Sequence, residues 1–159
     1  MLKKIFAVAL LATILVSCKS KSAFNFSEDI VKKERSLEPA VQNVEAKIDD
    51  FFRAGQFDSV AAAAEKMENS IQQKIDEIEA MKVPDAKEAD NFKAASITYF
   101  KFMRSVYTKY KEIGKAESDE EKQKLVQEMQ GMIKDKDKVI SDMQAAQRKF
   151  ASENGFKVQ

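Results

Sequence analysis

Apolar residues recur along this chain at alternating steps of three and four, and the pattern predicts four long helices. In the first, residues 25–55, the apolar seam consists of Ile30, Leu37, Val41, Val44, Ile48 and Phe51. Such a seven-residue repeat is typical of coiled coils and helical bundles. Pro39 falls on the outward side of this register, so it should bend the helix without ending it.

The same period predicts three further helices over residues 58–83, 85–113 and 118–154. Capping residues, prolines and glycines mark the expected boundaries: Asn25, Gly55, Asp58, Pro84, Asp85, Glu88, Gly114, Ser118, Glu121 and Gly155. Four helices with short connections predict an all-α fold, an antiparallel up-down-up-down four-helix bundle with coiled-coil-like seams. The alternative is a pair of helical hairpins that associate between two chains.

Three polar residues interrupt the apolar seams. Counting along the predicted helices places Glu34 and Lys74 at a similar height, so we expect them to form a partly buried ion pair. Similar counting places Lys136 near Glu65 or Glu68. The alternative is that all three side chains extend along their stems to solvent.

A short apolar run precedes the helices. Residues 5–16 follow Lys3 and Lys4, and this run is shorter than the roughly 20 residues of a membrane-spanning helix. Its length is typical of a cleaved secretory signal. The run ends at Leu15-Val16-Ser17-Cys18, which contains the only cysteine of the chain. An ordinary signal peptide followed by a leftover cysteine is the alternative interpretation.

This order of a large aliphatic residue, a small residue, serine and cysteine resembles the lipobox of bacterial lipoproteins. The resemblance implies that Cys18 becomes the first mature residue, that its sulfur carries diacylglycerol, and that its new amino group is acylated, with palmitate for example. It divides the chain into a signal peptide (1–17), a lipidated tether (18–24) and a helical domain (25–159). Lys19 after the cysteine implies delivery to the outer membrane of a Gram-negative bacterium. The periplasmic and surface faces both stay open.

The helical domain resembles an uncharacterised family of small helical bacterial surface lipoproteins. The residues that carry this resemblance are Phe24-Asn25, Val83-Pro84 and the terminal Phe150-Ala151, Asn154-Gly155-Phe156. The resemblance implies the fold and the location, and it implies no activity.

Composition excludes several classes of function. Without residues 1–17 the chain has 25 basic and 26 acidic residues, so it has no excess of positive charge that would favour the binding of nucleic acid. It contains no histidine. Four-helix di-iron sites, haem ligation, zinc sites and nucleophilic triads therefore lack their usual residues. We expect no metal, no cofactor and no enzymatic activity.

The predicted third helix has the widest apolar face. Its surplus aromatic residues form a candidate ligand or partner face: Tyr99, Phe100, Phe102, Tyr107 and Tyr110. The sequence therefore favours a lipid-anchored, non-enzymatic interaction or structural module of the cell envelope, with an unidentified envelope protein as its partner. The alternative is a carrier of a small apolar ligand in a pocket beside this face. The oligomeric state stays open.

Overall fold

The computed structural model describes the backbone at residues 12–13 and 18–158 and the side chains of residues 20–158. The described part is almost entirely helical, as predicted. Its helices are α1 (Cys18–Arg53), α2 (Phe57–Glu79), α3 (Ala89–Lys115), α4 (Asp119–Ile133) and α5 (Lys136–Glu153). Two short strands, β1 (Ala12–Thr13) and β2 (Lys157–Val158), pair antiparallel, with Ala12 opposite Val158.

Helix α1 begins seven residues before the predicted start. Asn25, predicted as the N-cap, lies inside the helix, and residues 18–24, predicted as a tether, are helical. Ser20 and Ala23 are buried in these first turns, so packing extends the helix to Cys18. Whether residues 18–24 act as a membrane tether stays a prediction. Pro39 lies within α1 and is exposed, as its register predicts.

Two of the other predicted starts were wrong. The N-cap of α2 is Gln56, not Asp58, and α3 begins at Ala89, after Glu88, which has a left-handed backbone with φ 62°. The side chain of Glu88 accepts hydrogen bonds from Asn91 Nδ2 at 2.6 Å and Lys149 Nζ at 2.9 Å, and these contacts hold the turn. Ser118 does cap α4, because its hydroxyl accepts a hydrogen bond from the amide of Glu121.

The predicted fourth helix is divided into α4 and α5. The amides of Lys134 and Asp135 bond to carbonyls three residues back, at Gly131 and Met132, with N···O distances of 3.2 and 3.1 Å. These hydrogen bonds to the third residue back form a tighter turn, which ends α4 before α5 begins at Lys136. The apolar period continues across the break, because Met129 in α4 and Met143 in α5 are both buried.

The core is continuous between the two ends of the helices. At one end the rings of Phe92 and Phe150 stack at 5.3 Å between centroids, and Phe156 folds back on Phe150 at 5.6 Å. At the other end Phe52 contacts Tyr110, with centroids 6.0 Å apart. Helix α3 packs along α2 and also contacts α4 and α5, whereas α1 packs chiefly on α2.

Candidate functional site

The residues predicted as a ligand or partner face lie mainly in the core. Tyr99, Phe100, Tyr107 and Tyr110 are buried, and Phe102 is half-buried. Phe100 meets Tyr99 edge to face at 5.7 Å. Their aromatic bulk therefore fills the interior around α3, and a role in binding a ligand or a partner stays a prediction. Cys18, the predicted lipid attachment residue, is the first residue of α1.

A buried carboxyl group of α1 meets the first of these tyrosines. The hydroxyl of Tyr99 donates a hydrogen bond of 2.7 Å to Oε1 of Glu34. Burial raises the pKa of Glu34 to about 7, the hydrogen bond from Tyr99 lowers it, and the charge of Glu38 raises it further. The Glu34 carboxyl is therefore largely protonated in mildly acidic solution.

The predicted pairing of Glu34 with Lys74 was wrong. Lys74 Nζ instead lies 2.8 Å from Oε1 of Glu77, one turn along its own helix. Lys33 of α1 binds the other oxygen of the same carboxylate at 2.8 Å. Two lysines thus share one acid of α2, and these hydrogen bonds, with that from Lys33 the stronger influence, lower the pKa of Glu77.

A second carboxyl group of α1 acts electrostatically on the other two tyrosines. Burial and then the charge of Asp49 raise the pKa of Glu45 to about 7. Burial is also the largest cause of the raised pKa values of Tyr107 and Tyr110, and the charge of Glu45 raises both further. The charges of acids on α1 therefore raise the pKa values of all three tyrosines of α3.

The predicted position of Lys136 was also wrong. Its charge acts on Glu45 of α1, and its ammonium lies 3.8 Å from Asp137. Glu65 and Glu68, the expected neighbours, bind Lys115 and Lys111 of α3. Glu45 and Glu65 are each ten residues from Gly55 between α1 and α2, so the error concerned the helix that Lys136 faces and not its height.

Three buried polar atoms in the described part of the chain have no hydrogen-bond partner. They are Oε2 of Glu34, the hydroxyl oxygen of Tyr107 and Oε1 of Gln147. Gln147 Nε2 reaches Ser27 Oγ at 3.3 Å, so only its oxygen is unpaired. Such atoms are rare in protein interiors, because an unpaired buried polar group costs about 1–3 kcal/mol. The sequence pattern named Tyr107 as part of an apolar face and did not single out Gln147 or Glu45.

Two open clefts lie at the end of the helices where α1 begins. One, of about 780 Å³, lies between the first turns of α1 and residues 81–85 of the α2–α3 connection. The other, of about 420 Å³, lies between this connection and the end of α5, near Ser20, Lys87 and Asn154. Lys87 and Glu153 form an exposed ion pair across the second cleft at 3.2 Å.

Within residues 18–158, no helix combines the length and the apolar character that a membrane span requires. Over the same described residues, no group of three or more His, Cys, Asp or Glu side chains is placed to hold a metal ion. Comparison of the chain with protein-family models, with curated proteins and with solved structures finds no match.

Proposed function

We propose that this chain is a lipid-anchored module of the bacterial cell envelope that acts by binding a partner and not by catalysis. In this proposal residues 1–17 are removed and Cys18 carries diacylglycerol and acyl chains. The helices run up, down, up and down, with α4 and α5 together as the last. Support for this arrangement comes from the two ends: Phe24 of α1 contacts Phe156 at one end, while Phe52 contacts Phe57 at the other.

The observation that carries the proposal is the position of Cys18 at the start of the longest helix. Ser20 and Ala23 are already buried against the rest of the protein. A lipid on Cys18 would therefore be joined to a packed helix without a long flexible linker. Two or more chains on one residue give durable membrane anchoring, whereas a single chain binds only marginally.

This position also defines which end of the protein would face the bilayer. The α2–α3 connection and the end of α5 lie beside the first turns of α1. The opposite end, around Ser118 at the start of α4, would extend away from the membrane and be the more accessible to an envelope protein. A crosslinker at Glu117 is therefore expected to capture a neighbouring protein more readily than one at Val83.

The anchor is tested by metabolic labelling with an alkyne fatty acid in a Gram-negative host. Wild-type protein should take up the label and sediment with outer-membrane vesicles, and Cys18→Ala should lose the label and appear in the soluble fraction. Ser22→Ala, at an exposed position four residues away, is the control and should behave like the wild type. Unlabelled wild-type protein that retains residues 1–17 would contradict the proposal.

A further inference from the structure

Helix α4 is the most weakly packed helix in the part of the chain that the structure describes. Of its 15 residues only Met129 is buried, whereas α2, α3 and α5 contain seven, eleven and four buried residues. Among its other apolar side chains, Val126 is exposed, and Leu125, Met132 and Ile133 are half-buried. Among the described helices, α4 packs along α3 alone. One narrow strip therefore holds α4 to the rest of the protein.

The strip runs antiparallel along α3 and contains two polar contacts. Ser105 Oγ lies 3.3 Å from the sulfur of Met132. One turn further along α3, Lys109 Nζ lies 2.9 Å from Oε2 of Glu128. Met129, the buried residue, lies on the same side of α4 as Met132, three residues away. The strip thus combines one buried side chain with contacts at the protein surface.

The polar groups of α3 in this strip also have partners within α3. Ser105 Oγ donates a hydrogen bond of 2.7 Å to the carbonyl of Phe102, and Lys109 Nζ lies 2.7 Å from Glu112. The ion pair between Lys109 and Glu128 joins side chains that are 25% and 43% exposed, and such exposed pairs stabilise proteins only slightly. Separation of α4 would therefore leave Ser105 and Lys109 with hydrogen-bond partners.

One further contact joins α4 to α2. The ammonium of Lys122 lies 4.3 Å from the centre of the Phe57 ring, and it also lies 3.4 Å from Asp119 in its own helix. The Phe57 ring meets Phe52 at 6.0 Å, so it keeps an aromatic neighbour if Lys122 moves away. This contact too can be lost without leaving a buried charge.

The backbone at both ends of α4 allows the helix to move without unwinding its neighbours. Before α4, Ala116 and Ser118 have extended backbones with ψ of 132° and 153°. After it, the amides of Lys134 and Asp135 bond to carbonyls three residues back, and a short stretch of this kind within a long apolar repeat is typical of a hinge. Gly131, just before this stretch, adds backbone freedom.

We propose that α4 is a hinged strap, which separates from α3 while α1, α2, α3 and α5 stay folded. The open state exposes the apolar side of α4 around Met129 and the side of α3 that contains Ser105 and Lys109. Such local openings occur well below the free energy of global unfolding in elements that bury few apolar side chains. The strap requires neither a lipid on Cys18 nor a partner, so it is independent of the proposed function.

Oxidation of the wild-type full chain by hydrogen peroxide tests the opening, because three helices each contain one comparably buried methionine. Met103 of α3, Met129 of α4 and Met143 of α5 are 1%, 5% and 3% exposed. A buried thioether reacts when the structure around it opens to solvent. Under native conditions Met129 should be oxidised at least about tenfold faster than the other two, as measured by mass spectrometry of peptides. Equal rates for the three methionines would overturn the proposal.

A crosslink that holds the strap closed separates opening from the small static exposure of Met129. In the Cys18→Ala chain, Lys109→Cys and Glu128→Cys place two thiols where the ion pair between α3 and α4 lies. A short bifunctional thiol reagent joins them. The crosslinked protein should oxidise Met129 about tenfold more slowly than the same variant before crosslinking.

A second crosslink at another ion pair is the matched control. Lys87 and Glu153 lie 3.2 Å apart and join the α2–α3 connection to the end of α5, away from the strap. Crosslinking of Lys87→Cys with Glu153→Cys should leave the rapid oxidation of Met129 unchanged. If both crosslinks slow this oxidation equally, or if neither does, Met129 is reached by a different motion and α4 is not a separate strap.

Discussion

Replacement of Gly114 by alanine is expected to lower the free energy of unfolding by about 2–3 kcal/mol. A Cβ atom at this position would lie 2.6 Å from both the amide nitrogen of Ala61 and the carbonyl oxygen of Phe57, and 2.8 Å from the Cβ of Ala61. Two of these three atoms belong to the backbone of α2, so no side-chain rotation can relieve the overlap. The two helices must move apart, and the packing between α2 and α3 is lost nearby. Urea unfolding followed by circular dichroism measures the change.

Gly131 provides a matched control, because it too lies inside a helix. A Cβ atom there would meet nothing within 4 Å. Gly131→Ala should therefore stabilise the protein by up to about 1 kcal/mol, since alanine has the higher helix propensity. The two variants should therefore change the free energy of unfolding in opposite directions. A Gly114→Ala protein as stable as the wild type would show that α2 and α3 do not approach as closely as described.

From the sequence we expected a different structural role for Gly114. It was predicted to end the third helix, whereas α3 continues to Lys115 and Gly114 is buried against α2. A glycine near the end of an apolar repeat is consistent with both a helix end and a close helix crossing. Only the relative positions of two helices distinguish these alternatives, and periodicity contains no information about them.

Features set by neighbouring residues were predicted more accurately. The seam residues Ile30, Leu37, Val41 and Ile48 are buried, because their spacing alone puts them on one side of a helix. Gly55 and Gly155, both predicted to mark helix boundaries, have a left-handed backbone with φ of 67° and 73°. Such local geometry depends on a few residues that are adjacent in the sequence, so it can be predicted without knowledge of the tertiary structure.

The polar contacts in the core were harder to predict, because they join distant elements. The repeat correctly identified Glu34 as an exception within the seam. Its partner is a tyrosine predicted to be part of an apolar face, and the lysine at the expected height binds within its own helix. Charge complementarity suggested an ion pair, but a buried carboxyl can instead accept a hydrogen bond from a neutral hydroxyl and become protonated.

This buried carboxyl should make the protein more stable in mild acid than in neutral solution. The pKa of Glu34 is about 7 in the folded protein, against 4.5 as its ordinary value. Between these values the folded state binds more protons than the unfolded state, so stability decreases as pH rises. The contribution of Glu34 is fully present below about pH 4.5 and is lost by pH 7. The difference is about 3 kcal/mol.

The test compares urea unfolding at pH 5 and pH 8 for the wild type and Glu34→Gln. Glutamine can still accept the hydrogen bond from Tyr99 and cannot ionise, so the variant should lose a large part of the pH dependence and exceed the wild type in stability at pH 8. The pKa of Glu45 is also raised to about 7, so the variant should keep a residual slope in the same direction. Glu65→Gln, on an exposed side chain of α2, is the control.

Few other carboxylates should contribute to the change in stability between pH 5 and pH 8. Hydrogen bonds from lysines lower the pKa values of Glu77 and Glu128, so these acids add stability that is lost only as pH falls below their ordinary range. Between pH 5 and pH 8 both are largely ionised in the folded and unfolded states alike. A decrease in stability across this interval that Glu34→Gln leaves unchanged would show that Glu34 is not buried as a neutral acid beside Tyr99.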